Sequence, residues 1–289
     1  MKVWIFATIA AVLWAMAMYL TKKNGSEKAE PILFQLYQEK INNQIVEYKR
    51  SGDFLAAEKM MLKAIKKFPK ARKAYFDLVE ILYLQEKYES ALAYLLIIRG
   101  IMKASFEPDP SDYFSVLVRI VQTKIRIGDL DGASKAAIEI LESGEGGPFI
   151  GLIYADIALQ QGNTTEQLNR LEKMSVMYPH DSETKLALSL CYHSLGKSQR
   201  SEQLLEELMR EFPHTIGPFV YFARAAVERK DWEEAVRRWQ IVQERFVLNP
   251  EGFEQGAAAL RQLGREDLAA VTMEKHPGEH AVPWPLRFG

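Results

Sequence analysis

Apolar residues between positions 38 and 277 recur at helical spacing, in blocks broken by short polar turns. Tyr75, Leu78, Val79 and Leu82 mark one such face, and after a turn Ala91, Leu95 and Ile98 mark the next. A second rhythm runs through the blocks. Positions 57, 91, 133, 167, 201, 235 and 269 hold Ala, Ala, Ala, Gln, Ser, Ala and Ala. Consecutive members lie 34 residues apart, except for a step of 42 between Ala91 and Ala133, which is one period plus an insertion of eight. Five residues ahead of each stands a turn position: Gly52, Glu86, Gly128, Gly162, Gly196, Lys230 and Gly264. Glycine there suits a left-handed helix C-cap, where a side chain clashes with the backbone. Each unit is therefore predicted to be helix, tight turn, helix, with the small residue at the point where the two helices cross closely.

Self-similarity at this period marks a stacked array, in which each unit contacts only its neighbours. Pro69, Pro179, Pro213 and Pro250 are expected to stop a second helix and start the next unit. The period, the turn glycines and the small residues resemble the tetratricopeptide repeat family over residues 38–277. The resemblance implies an all-α fold: an α-solenoid of about seven helix-turn-helix repeats, coiled as a right-handed superhelix after an N-terminal transmembrane helix. The fourth unit departs most from the pattern, with Gly151, Thr164 and Gln167, and is expected to be the most loosely packed.

Outside the array the pattern changes. Residues 3–21 are uncharged and apolar, long enough as a helix to span about 28 Å, close to a bilayer core. Trp4 and Tyr19 stand near its ends, and Lys2, Lys22 and Lys23 flank it. Residues 1–23 are read as a single-pass anchor in a bacterial inner membrane. A cleavable secretory signal is the rival, because Ala15-Met16-Ala17 has the small-x-small form. Lys22, Lys23 and Lys28 after the span favour cytoplasmic repeats, with periplasmic repeats as the alternative. Residues 24–37 are assigned to a linker and the start of the first helix, with Pro31 at a first helical position. Lys63, Lys66, Lys67 and Lys70 offer contact with anionic lipid, or simply a solvated face with cations at a helix C-terminus.

Three breaks interrupt the repeats. Phe106-Glu107-Pro108-Asp109-Pro110 carries the insertion, a stiff elbow followed by Ser111 or Asp112 as a helix cap. It is expected to divide the array into a front of two units and a back of five. Residues 143–148 are rich in glycine and read as a junction; no Gly-Lys-Ser/Thr follows, so a phosphate loop is rejected. In the tail, residues 278–289, Trp284 lies between Pro283 and Pro285, suited to docking a partner or to covering the end of the array. Pro277 and Gly278 separate His276 from His280, which rules out a helical metal pair. The single cysteine, Cys191, lies among Leu188, Leu190 and Tyr192 and is expected to be buried and inert.

Charge adds one qualification. Residues 1–105 carry a net of +7 and the remainder −8, too mild an asymmetry to suggest nucleic acid. No metalloprotease helix, nucleophile elbow, Walker loop or dinucleotide fingerprint is present. The chain is therefore read as non-enzymatic, with no cofactor and no metal. Binding is the positive expectation, because stacked hairpins of this family line a concave groove with their first helices. The repeat frame nominates Phe76, Glu80, Tyr83, Arg119, Gln122, Arg126, Leu152, Asp156, Leu190, His193, Tyr221 and Arg224. Aromatics and arginines are the types enriched at interface hot spots. Family members that grip a terminal carboxylate use matched Lys and Asn residues. Asn42 and Asn43 are present, but the next two units lack the matching set. An anchor followed by such repeats is similar to bacterial inner-membrane repeat proteins that assist lipopolysaccharide, secretion or haem and cytochrome assembly. The lipopolysaccharide type ends in a cysteine-rich knuckle that this chain lacks. The implied role is a membrane-tethered scaffold or adaptor for a protein or peptide partner. The alternatives are a permanently bound subunit of a larger membrane complex and an unrecognised enzyme.

Overall fold

The computed structural model describes residues 26–104, 110–144 and 146–278. Fourteen helices and no strand occur among them, arranged as seven consecutive antiparallel pairs. In chain order they are α1 (Ser26–Ser51), α2 (Phe54–Lys67), α3 (Arg72–Leu84), α4 (Tyr88–Lys103), α5 (Pro110–Ile127), α6 (Leu130–Glu142), α7 (Gly147–Gln160), α8 (Thr164–Met177), α9 (Ser182–Ser194), α10 (Ser198–Glu211), α11 (Ile216–Glu228), α12 (Trp232–Arg245), α13 (Pro250–Gln262) and α14 (Glu266–Glu274).

The turns explain the rhythm of the sequence. All seven turn positions have positive φ, including the two that are not glycine, Glu86 and Lys230, both at 58°. In six of the seven, the next residue's N–H reaches back to the carbonyl five residues earlier, as from Lys87 to Leu82 at 2.9 Å and from Asp129 to Lys124 at 2.9 Å. That bond closes the first helix with a Schellman cap. The polar residue after the turn opens the second helix. Asp53, Asp129, Asn163 and Asp231 each accept from the backbone N–H three residues on, at 2.9–3.2 Å.

Ala57, Ala91, Ala133, Ala235 and Ala269 are completely buried, and Ser201 is 2% exposed, at equivalent places on α2, α4, α6, α12, α14 and α10. The fourth pair solves the same problem differently. Gln167 is only half-buried. A Cβ on Gly151 would stand 2.4 Å from Met174 Sδ, so α7 supplies the missing volume and α8 fills it. The expectation of loose packing there is wrong at the crossing itself. Four of the second helices, α2, α8, α10 and α12, end on an aromatic C-cap, Phe68, Tyr178, Phe212 or Phe246, whose N–H bonds the carbonyl four residues earlier at 2.8 Å. Pro69, Pro179 and Pro213 follow directly. Pro250 does not stop a helix: it opens α13, where its missing N–H costs nothing.

Three boundaries differ from expectation. The first helix begins at Ser26, so most of the supposed linker is helical and Pro31 lies within α1. The proline costs that helix one backbone bond rather than a break. At the insertion, α5 starts at Pro110, which places Ser111 and Asp112 inside its first turn rather than at its cap. The insertion also does not divide the array. Leu95, Ile98 and Met102 of α4 share one core with Val116 and Ile120 of α5. The extra residues lengthen α4 to 16 residues and α5 to 18, against 13 or 14 in most of the others. The division falls instead at the glycine-rich junction, giving compact units Met1–Glu145 and Gly146–Gly289. The first unit has one continuous core running from Phe34 to Ile120, and the second has several smaller clusters.

Among the described residues no helix is long and apolar enough to cross a membrane. The expected anchor (residues 3–21), residues 105–109 of the insertion and the tail from residue 279 lie outside the described residues.

Candidate ligand-binding groove

In the first unit, α1, α3 and α5 are the first helices of their pairs, and two adjoining cavities lie along them. One, of about 580 Å³, is lined by Lys49, Glu80, Tyr83, Leu84, Tyr88, Arg119, Gln122 and Arg126. The other, of about 690 Å³, shares Glu80 and Arg119 and continues toward Arg72, Lys73, Phe76, Asp77, Asp112 and Ser115. Both volumes fall in the range of small-ligand sites, and together they form an open trough along the helix axes. All six candidates nominated in this unit, Phe76, Glu80, Tyr83, Arg119, Gln122 and Arg126, line it.

Local geometry fixes these side chains. Tyr83 Oη and Thr123 Oγ1 are 2.5 Å apart, and Thr123 Oγ1 is 2.5 Å from the Arg119 carbonyl. Thr123 has one O–H to donate and gives it to that carbonyl, so Tyr83 donates to Thr123. This ties α3 to α5 and holds the Tyr83 ring at the cavity wall, 5.9 Å from the Tyr88 ring. The Arg126 guanidinium lies 5.4 Å from the Tyr88 ring centre, with Nη1 3.4 Å from the Tyr88 hydroxyl. Arg119 lies 6.0 Å from the Phe76 ring. Lys49 pairs with Glu80 at 3.5 Å, linking α1 to α3. Burial pushes the Asp77 carboxyl above its usual range, opposed by Lys73 at 3.4 Å.

Lys49, Leu84 and Tyr88 were not nominated, although the sequence held a signal for one of them. Lys49 stands one period before Tyr83, in the same register of the preceding first helix.

The second unit does not gather its candidates. Leu152 packs against the cluster of Leu188 and Cys191, and Tyr221 against Leu186, Leu205 and Leu208. Asp156 accepts from Gln160 at 2.6 Å. His193 pairs with Glu228 at 2.6 Å and Arg224 with Glu251 at 2.6 Å, so these side chains tie successive first helices together. Two cavities in this unit lie against second helices instead. One of about 350 Å³ is bordered by Met209, Phe219, Phe222, Ile241 and Arg245. Another of about 540 Å³ is bordered by Val247, Phe253, Leu268 and Val271. Leu190, half-buried on α9, borders neither.

The remaining nominated features lie outside the trough. Cys191 is 3% exposed and burial raises its thiol pKa, as expected of an inert core thiol. Lys63, Lys66, Lys67 and Lys70 are exposed. Lys66 and Lys67 occupy the last turn of α2, and Lys67 lies 5.0 Å from the Tyr37 ring. His276 is held by Glu254 at 3.3 Å.

Residues 43–104 match the tetratricopeptide repeat family model. No curated protein matches the chain in sequence. Among solved structures, a tetratricopeptide repeat protein from Parabacteroides merdae superposes with a TM-score of 0.52 at 14% identity, covering 82% of this chain and 91% of its own. PilF of Pseudomonas aeruginosa gives 0.49 at 16% identity, over 73% of this chain and 94% of its own. MamA gives 0.46 at 15% identity, over 56% and 88%. The first of these shares the fold. With the matched segment, and with the same left-handed turn in all seven helix pairs, the described residues have the tetratricopeptide repeat fold.

Proposed function

We propose that this protein is a membrane-tethered adaptor that holds a segment of a partner protein in the trough of its first unit. The observation that carries the reading is the trough itself. Three consecutive first helices present Lys49, Tyr83, Arg119 and Arg126, and the start of α4 adds Tyr88, around adjoining open cavities. Aromatic and arginine side chains held by their own neighbours lose little freedom on binding, which is how a groove becomes a recognition surface. The tether rests on the uncharged stretch at residues 3–21. Fixing the array at a bacterial inner membrane raises the local concentration of whatever it holds. The flanking lysines favour repeats on the cytoplasmic side.

The test is site-specific photocrosslinking in cells. A photoreactive amino acid replaces Gln122, exposed in the trough, or Lys135, exposed on α6. A discrete protein adduct from position 122 and none from 135 is expected. Equal labelling from both positions, or none from either, defeats the reading. Alkaline carbonate extraction checks the tether: the full chain stays with membranes and a chain lacking residues 3–21 is released. Release of both abandons it.

A further inference from the structure

The trough of the first unit holds more cationic side chains than its own carboxylates engage. Lys49 is paired with Glu80 and Lys73 with Asp77. Arg119 and Arg126 have no carboxylate within ion-pair distance among the described residues; each rests against an aromatic ring instead. At the Phe76 end of the trough Arg72 lines the wall, and its Nη1 is enclosed without a hydrogen-bond partner. A guanidinium has five donors in a fixed fork and no way to lose its charge, so an enclosed, unmet N–H is costly until an anion reaches it. The remaining acid, Asp112, stands in the first turn of α5, at the far end from Arg126.

The spacing narrows the anion. Arg119 and Arg126 stand two turns apart on α5, about 10 Å along its axis. The two cavities succeed each other along that axis, so an occupant lies lengthwise and extended. In a polyproline-type chain, residues three apart face the same side at about 9 Å separation. Tyr83, Leu84 and Tyr88 border the space around Arg126 and suit the apolar part of such a segment. Building on the adaptor reading, we infer that the trough takes an acidic, extended protein segment, with two carboxylates three residues apart engaged by Arg119 and Arg126. Arginine is suited to this task because its fork meets a carboxylate with two parallel bonds while its face stays on a ring.

The experiment selects binders from a random library of displayed dodecapeptides on the full chain in detergent. It is repeated with an Arg119→Gln/Arg126→Gln variant whose melting temperature matches wild type. Enrichment of Asp or Glu at i and i+3 on wild type, lost on the variant, is expected. A selected acidic peptide should bind the variant at least tenfold more weakly. It should also weaken at least fivefold on wild type between 50 and 300 mM salt. An Arg119→Lys/Arg126→Lys variant keeps part of the affinity, since charge remains and the fork is lost. Enrichment of neutral or basic peptides overturns the acidic assignment and leaves the adaptor reading standing. No enrichment on any form of the chain removes both. Tighter binding of a single-stranded oligonucleotide, lost in the same Gln variant, would reassign the trough to a polyanion that is not protein.

Discussion

Replacing Arg238 with Met should open the sixth helix pair locally. Arg238 is 8% exposed in α12, yet it carries full charge. Its Nε donates to Glu234 at 2.7 Å, Nη1 to the Phe222 carbonyl at 2.6 Å and Nη2 to Glu202 at 2.7 Å, and its plane lies 3.5 Å from the Phe222 ring centre. One side chain thus joins α10, α11 and α12. Methionine restores most of the stem's packing, so the loss isolates the polar part. Removing one member of a buried ion pair costs about 3–5 kcal/mol. Here the carboxylates are about a fifth exposed, and each keeps a second cation, Arg229 on Glu202 and Arg237 on Glu234. That screening lowers the expected cost to roughly 2–3 kcal/mol. Stability in a repeat array is partly local, so the assay is hydrogen exchange read by mass spectrometry on the full chain. Amides of α11 and α12 should exchange about 30- to 150-fold faster, at tenfold per 1.4 kcal/mol. Adding Glu202→Gln and Glu234→Gln should recover at least tenfold of that loss, because no mostly buried carboxylate is then left short of a partner, and the Arg229 and Arg237 side chains released are 42% and 74% exposed and met by water. Protection changed by less than threefold, or changed equally in α3 and α4, would refute the reasoning.

Three further outcomes follow from the same geometry. Gly151→Ala should destabilise the fourth pair by about 1–2 kcal/mol, overpacking against Met174 outweighing the helix propensity gained, and a Met174→Val background should remove the penalty; exchange from α7 and α8 reads both. Glu86→Gly and Lys230→Gly should each slow exchange around their own turn, by about 0.5–1 kcal/mol, since both residues hold a left-handed backbone at 58°; Gly196→Ala should do the reverse. The Asp129 carboxyl is held below its ordinary value of 3.8 by the Lys124 hydrogen bond first and the Gly132 N–H next. Its contribution is fully present above that value and lost as pH falls through the lower folded one. The stability difference between wild type and Asp129→Asn should therefore shrink below pH 4, and a carboxyl carbon NMR titration with a midpoint at or above 3.8 would contradict the assignment.

The repeat frame was legible because its two constraints are steric and local. A left-handed turn and a close helix crossing admit few residues, so Gly196 and Ala91 declare themselves wherever they stand. Even the deviations obey the geometry: Glu86 takes the glycine conformation, and Gly151 moves the close approach to the opposite helix. What stayed hidden depends on volume and charge arriving from another helix. Arg170 and Arg238 occupy the register of Tyr94 and Leu204, which reads as apolar. Each is nevertheless buried, with a Glu four residues earlier and an aromatic ring sixteen residues earlier, Glu166 and Tyr154 in one case, Glu234 and Phe222 in the other. That doublet, repeated at twice the period, was the available signal. The insertion misled for a related reason: two prolines break a helix, yet the helices on either side lengthened and kept their shared core.

The groove shows the same limit from the functional side. The frame says which residues of a first helix face inward, and all six nominated in the first unit do line its trough. It does not say which of them a neighbouring helix has already engaged. Lys49 meets Glu80 across 31 positions, His193 meets Glu228 across 35 and Arg224 meets Glu251 across 27. These separations share no single offset, because side chains of different length bridge the helices at different heights. A sequence period therefore cannot separate a tied cation from an open one. Only after those pairs are drawn do Arg119 and Arg126 stand out, charged, stacked on rings and without a carboxylate among the described residues. The inward face belongs to the fold; the anion site proposed above belongs to the inward positions whose counter-charge the next helix does not supply.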